Sequence, residues 1–130
     1  MIEIALNASG QGVYQKQIAE NQDISVKYLD HIIYALKAAG LITNSKGKKS
    51  GYILTRLPSE ITMYDIHNAF EPGINVIDCL SSNIRCNRED RCASRKFWNK
   101  LNTQVIGYFK TVTLDDLVNE QIKLDRLVQR

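Results

Sequence analysis

The stretch from Ile24 to Arg56, ISVKYLDHIIYALKAAGLITNSKGKKSGYILTR, constrains this chain more than any other. Its first half carries Leu29, Ile32, Ile33 and Leu36 at helical spacing, behind Ser25 as a capping residue. Ala38-Ala39-Gly40 stops that helix, with Gly40 free to take the left-handed conformation of a C-cap. Two extended runs follow, Leu41 to Asn44 and Gly51 to Thr55, joined by the basic loop Ser45-Lys46-Gly47-Lys48-Lys49-Ser50. Upstream, Gln15 to Asn21 (QKQIAEN) reads as a short helix burying Ile18 and Ala19, and Gln22-Asp23 makes a tight turn.

Helix, short turn, longer helix and small hairpin is the outline of a winged helix-turn-helix, in which the second helix enters the DNA major groove. With Leu29, Ile32, Ile33 and Leu36 inward, Lys27, Tyr28, His31 and Tyr34 are left outside, placed to meet base edges or phosphates. No acidic residue occurs between His31 and Ser59, whereas Lys37, Lys46, Lys48, Lys49 and Arg56 all do. That pattern suits a phosphate backbone. The expected DNA contacts are Ser25, Lys27, Tyr28 and His31 on the helix, and Lys46, Lys48, Lys49 and Tyr52 on the wing. A solvated lysine loop on an ordinary hairpin is the plainer alternative.

At 130 residues the chain is one domain's worth, or a compact domain with an appended helix, and can bury a genuine core. Its net charge of +3 is mild, so nucleic-acid affinity must come from the local cluster. No apolar run approaches membrane-spanning length and no signal-peptide pattern opens the sequence. Three cysteines, an odd number, argue against a disulfide framework and for a cytoplasmic protein. There is no Gly-rich phosphate loop, no HExxH and no nucleophile–base pair, so an enzyme is not expected.

Met1 to Ala8 reads as the last two turns of a helix stopped at Ser9-Gly10, either packed onto the winged domain or continuing one that begins further upstream. After the wing, Thr62 and Asp65 form a T-x-x-D capping box for a helix whose buried face is Ile66, Ala69 and Phe70, ended by Pro72-Gly73. Ser94 is expected to cap a long helix reaching about Lys110. Trp98, Leu101, Val105, Tyr108 and Val112 lie on it in alternating steps of three and four, a coiled-coil seam. Phe97, Ile106 and Phe109 broaden the apolar surface, so a second copy of the chain is the simplest partner. Thr113 and Asp116 form another T-x-x-D cap for a final helix, with Leu117, Val118 and Leu124 inward and Lys123, Arg126 and Arg130 at its frayed end.

Between these helices lies a segment of different texture, NVIDCLSSNIRCNREDRCAS, holding all three cysteines: Cys79, Cys86 and Cys92, with six and then five residues between them. It has too few large apolar residues to build a core. Three free thiols with no shared role, a thiol redox switch favoured by Arg85, Arg88, Arg91 and Arg95, and a metal or iron–sulfur site are the open readings. The spacing is not CxxC, which disfavours a standard zinc ribbon. The expected architecture is mainly α with a small β-hairpin wing. Residues 1–72 form the winged helix-turn-helix, 73–93 the cysteine sensor loop, and 94–130 the dimerisation helix and C-terminal helix.

The strings IAENQDISVKYLDHIIYALKAAGLI and SKGKKSGYILTRLPSEIT, the cysteine loop, then FW and TLDDL, resemble the winged-helix regulators typified by IscR, NsrR and CymR, over essentially Ile4 to Val118. The resemblance implies a homodimer on palindromic operators in double-stranded DNA, with the long helices crossing at the dimer interface. It also implies an iron–sulfur cluster, two-iron or four-iron, on cysteines corresponding to Cys79, Cys86 and Cys92, sensing iron–sulfur status, nitric oxide or redox stress. Three departures stand out. Such regulators usually have about a dozen residues ahead of this Met1. Arg95 occupies the place of a histidine ligand, leaving Glu89, Asp90, His31 and His67 as candidate fourth donors. In the wing, Ser50 replaces the first of a Gly-Gly pair. The resulting expectation is a sequence-specific transcription regulator, in sense a repressor, modulated by a cluster or by thiol redox state. A non-DNA winged-helix adaptor with structural zinc in the cysteine loop is the alternative.

Overall fold

The computed structural model describes residues 1–129, so the Arg130 expected at the end of the last helix lies outside the described residues. In chain order the elements are α1 (Ile2–Leu6), α2 (Gln15–Asn21), α3 (Val26–Ala38), β1 (Ile42–Asn44), β2 (Tyr52–Leu54), α4 (Met63–Phe70), α5 (Ala93–Thr111) and α6 (Leu114–Val128). Single 3-10 turns occur at Pro58–Glu60, Asp78–Leu80 and Glu89–Arg91. This is the expected helical body with a two-stranded wing.

The helix-turn-helix forms for the reasons its sequence suggests. Ser25 Oγ accepts the Tyr28 N–H at 3.1 Å, capping α3, and Leu29, Ile33 and Leu36 are buried along one side of it. Asp23 takes the left-handed conformation (φ 50°) in the turn between α2 and α3, a region that short polar side chains tolerate. Gly40 (φ 72°) ends α3 as expected. The hairpin is antiparallel, pairing Ile42 with Leu54, Thr43 with Ile53 and Asn44 with Tyr52. Val13 bridges the other edge of β2, exchanging backbone hydrogen bonds with Tyr52 at 3.0 and 2.8 Å. That bridge explains the retained glycine of the wing: a Cβ on Gly51 would stand 2.6 Å from the Val13 nitrogen.

One core joins the helix-turn-helix to the last helix. Ile4, Val13, Leu29, Leu36, Leu41, Ile61 and Leu114 belong to a single buried cluster. Ile61 and Leu114 are wholly buried, and each contributes roughly 1.5–3 kcal/mol from burial alone. They meet because Thr62 and Thr113 form an isolated β-bridge, with Leu114 N–H donating to Ile61 O and Met63 N–H to Val112 O, both at 2.8 Å. The two expected capping boxes, Thr62 with Asp65 and Thr113 with Asp116, both form, so two helix starts are stitched side by side.

Four local expectations change. α1 ends at Leu6, before Ser9-Gly10, its cap Asn7 donating back to Glu3 O. Phe70 is exposed at the end of α4, because the chain turns extended at Glu71 and nothing closes over it. Leu124 is exposed as well, because the core ends nearer the start of α6, where Leu114 is buried and Val118 packs against it. The cap of α5 is Cys92 and not Ser94: its Sγ accepts the Arg95 N–H at 3.4 Å.

Candidate nucleic-acid interface and cysteine loop

Lys27, His31 and Tyr34 lie at i, i+4 and i+7 on α3, all exposed, opposite its buried side. Tyr28 is exposed but sits to one flank, at the rim of a groove of about 790 Å³ that Ile2, Leu6, Met63, Phe70 and Leu117 also line. Ser25 is exposed, its hydroxyl oxygen already engaged by the Tyr28 N–H.

The wing tip is built to hold its lysines outward. Ser45, buried, donates through Oγ to Gln11 O at 2.7 Å and through N–H to Gly51 O at 2.8 Å, fixing the base of the loop. Beyond it Lys46, Lys48 and Lys49 are exposed, and among the described residues no carboxylate pairs with them. Free ammonium groups of this kind are what a phosphate backbone recruits by counterion release. The other two cations of the acid-free stretch are occupied. Lys37 donates to Asn44 Oδ1 at 2.7 Å and stands 5.9 Å from the centroid of the Tyr52 ring, and Arg56 pairs with Asp65 at 3.8 Å. Spacing alone could not separate these fold-bound cations from the free ones.

Tyr52 is half-buried, facing the body of the domain. Its hydroxyl donates to Gln15 Oε1 at 3.3 Å, and the Gln15 amide donates to the Asp30 carboxylate of α3. Burial, with the Asp30 charge adding to it, raises the Tyr52 pKa above its usual 10.0. Gln15 was not among the expected site residues. The only sequence signal for it is a polar residue opening a short helix opposite an acid on the next one.

The cysteine loop is anchored at both ends. Buried Asn102 of α5 accepts the Val76 N–H at 2.8 Å, and Cys92 caps α5 as described. Cys79 is half-buried in the 3-10 turn Asp78–Leu80, while Cys86 is exposed in a turn closed by Glu89 N–H to Cys86 O at 3.1 Å. All three thiols are free. Arg95 reaches back to Glu89 at 3.2 Å. As a donor set, three soft thiols in one loop have the chemistry of iron–sulfur ligands. Among the described residues, however, no three His, Cys, Asp or Glu side chains are close enough to share one metal ion.

On α5, Trp98, Leu101 and Val105 are half-buried, while Phe97 (61% exposed, its ring edge-on to Trp98) and Tyr108 (70%) are largely uncovered. Phe109 packs edge-on against His67 of α4, with ring centroids 5.5 Å apart. Val112 has left the helix: it is the C-cap, extended, and its carbonyl joins the bridge to Met63. No helix among the described residues is long and apolar enough to cross a membrane.

Comparison with known proteins agrees with this geometry. The chain is 30% identical over 125 residues to the HTH-type transcriptional regulator IscR of Escherichia coli, covering 96% of this chain and 76% of that one. Among solved structures it matches CymR, the global cysteine regulator of B. subtilis, with a TM-score of 0.76 and 27% identity over 92% of this chain and 87% of that one. It also matches T. potens IscR, with a TM-score of 0.72 and 25% identity over 92% and 78%. The model of the Rrf2 family, described as iron-dependent transcriptional regulator, matches residues 1–120. With winged helix-turn-helix, free cationic wing and cysteine loop in that order, the chain belongs to the Rrf2 family of transcriptional regulators.

Proposed function

We propose that the chain is a cytoplasmic, sequence-specific repressor that binds palindromic operators as a homodimer, its binding modulated by an iron–sulfur cluster or by thiol redox state at Cys79, Cys86 and Cys92. In this reading residues 1–72 read DNA, 73–93 sense, and 94–130 dimerise. The observation that carries it is the unpaired lysine wing, Lys46, Lys48 and Lys49, tied through Lys37 and Asn44 to a helix exposing Lys27, His31 and Tyr34. Base readout is assigned to that face of α3, with Tyr28 at its flank and Ser25 at its start. Tyr52 braces the wing from within.

A dimer through α5 is supported by Phe97 and Tyr108, large apolar side chains left uncovered beside the half-buried Trp98, Leu101 and Val105. Val112 contributes at most at its end. When bound, the cluster would supply a charged group reactive toward oxygen and nitric oxide. This chain's part is to bring the three thiols together and to transmit their order to α5 through the Cys92 cap. No observation favours the non-DNA adaptor, and a family of transcriptional regulators speaks against it.

The test is selection of double-stranded fragments from a random library by anaerobically prepared protein, with and without iron and sulfide. An enriched palindrome whose affinity differs between the two preparations is expected. No enrichment in either preparation would overturn the reading, and stoichiometric zinc in place of iron would overturn its sensor half.

A further inference from the structure

Resting on the DNA-binding reading above, we propose that Arg85, Arg88 and Arg91 of the cysteine loop, with Lys96 and Lys100 of α5, form a second surface for the phosphate backbone of double-stranded DNA, separate from the wing. The distribution of charge points there. Residues 81–110 hold seven Lys and Arg against two Asp and Glu, a net +5. Residues 1–80, helix-turn-helix and wing included, hold seven against eight, a net −1. The positive excess of the chain therefore lies outside its winged domain. Affinity for a polyanion follows the number of phosphates that such cations neutralise.

Two of the seven cations are occupied: Arg95 pairs with Glu89 at 3.2 Å, and Lys110 stands 4.7 Å from the centroid of the Tyr64 ring. The other five are exposed, and among the described residues no carboxylate pairs with them. Asp90, exposed between Arg88 and Arg91, offsets part of that charge. Lys96 and Lys100 are neighbours at i and i+4 on α5, opposite the half-buried Trp98 and the buried Asn102. Like charges so placed repel, and a bound anion relieves the repulsion. Loop and helix adjoin, since Glu89, Arg95, Lys96 and Asn99 line one concavity.

The acids of α6, its own or a second copy's, already have partners. Asn119 donates to Asp115 at 3.0 Å, Thr113 N–H to Asp116 at 2.8 Å, Lys123 to Glu120 at 3.3 Å and Gln121 to Asp125 at 2.8 Å. The anion that fits comes from another molecule. Guanidinium forks take phosphate oxygens two at a time, which suits a surface rich in arginine. From Arg85 to Arg91 the chain reaches at most about 20 Å, enough to follow several phosphates spaced about 3.4 Å apart along a strand.

The experiment is fluorescence anisotropy of the full chain, its thiols kept reduced under anaerobic conditions, on a random-sequence duplex of about 40 base pairs across a salt series. One variant combines Arg85→Gln, Arg88→Gln and Arg91→Gln, and a second combines Lys96→Gln and Lys100→Gln. The control, Lys16→Gln with Lys123→Gln, removes two cations already paired with Glu20 and Glu120. Every replaced side chain is exposed, so helical circular dichroism should not change. The slope of log affinity against log salt should flatten by about three in the arginine variant and about two in the lysine pair, and stay at the wild-type value in the control. Adding Lys48→Ala to the arginine variant should flatten it by about one more, as two separate surfaces require. A wild-type slope in either loop or α5 variant, a control that loses as much as the lysine pair, or no further loss with Lys48→Ala would overturn the second surface and leave the DNA-binding reading standing. A wild type that binds the duplex at no salt concentration would overturn both.

Discussion

The Tyr52 hydroxyl donates to the Gln15 side-chain carbonyl at 3.3 Å, and Gln15 in turn donates to Asp30. One side chain at the start of α2 therefore fixes the wing against the proposed recognition helix. Two docking elements that must meet DNA together need a fixed spacing. Gln15→Ala is expected to weaken operator binding about 2- to 10-fold, the scale of one intramolecular hydrogen bond. Because no phosphate contact is removed, a plot of log affinity against log salt should keep its slope. A changed slope would mean that Gln15 acts at the DNA and not behind it.

Lys48 should behave oppositely. It is exposed at the wing tip with no carboxylate partner among the described residues. Lys48→Ala should weaken binding to all sequences alike and flatten the salt slope by about one. Fluorescence anisotropy across a salt series reads both quantities. An untouched slope would reduce the wing to a plain hairpin.

For the dimer, the telling positions are the two that the single chain leaves uncovered. Phe97 and Tyr108 are 61% and 70% exposed, so charged replacements there cost the monomer's packing little. Phe97→Glu with Tyr108→Glu should keep the helical circular dichroism and yield a monomer by light scattering. Operator affinity should then collapse, since each half-site loses the effective concentration supplied by its twin. A dimer that survives the double change would place the interface elsewhere.

What was legible in the sequence was what local chemistry decides. Ser25 before an amphipathic run marks α3, and the T-x-x-D pairs at Thr62 and Thr113 mark two helix starts, because a capping box needs no distant partner. The errors fall where a distant neighbour decides. Phe70 and Leu124 keep helical rhythm with core residues, yet nothing packs over them. Lys37 and Arg56 look as free as the wing lysines until Asn44 and Asp65 come near. Tyr52 faces inward because Gln15 arrives from another helix. The cap of α5 was hidden by propensity: sulfur is no favoured cap, and Ser94 lies two residues further on.

The cap at Thr113 gives a pH prediction. The Thr113 N–H and hydroxyl both donate to Asp116 Oδ2, at 2.8 and 2.9 Å, and hold its carboxyl below the usual 3.8, the backbone bond contributing most. A carboxyl whose folded pKa is depressed stabilises the fold fully above its unfolded value. That stabilisation is lost as pH falls through the folded one. The melting-temperature gap between wild type and Asp116→Asn should therefore be constant near neutral pH and close once pH drops below 3.8. A gap that persisted unchanged into stronger acid would assign the effect to shape and not to charge.

Cys92 carries two duties that substitution can separate. Its sulfur accepts the Arg95 N–H at the start of α5, and it is proposed as an iron ligand. Serine preserves an acceptor at the cap and is among the favoured capping residues, whereas alanine has none. Loss of a cap costs about 1 kcal/mol, or about 3–5 °C in melting temperature for a chain of this size. In iron-free protein, then, Cys92→Ala should melt lower than wild type and Cys92→Ser should not, while Cys79→Ser and Cys86→Ser leave α5 untouched. After anaerobic reconstitution all four should fail to retain iron. Because the capping sulfur is also the proposed ligating one, iron binding is expected to act directly on the first turn of α5. Equal melting temperatures for Cys92→Ala and Cys92→Ser would remove that link.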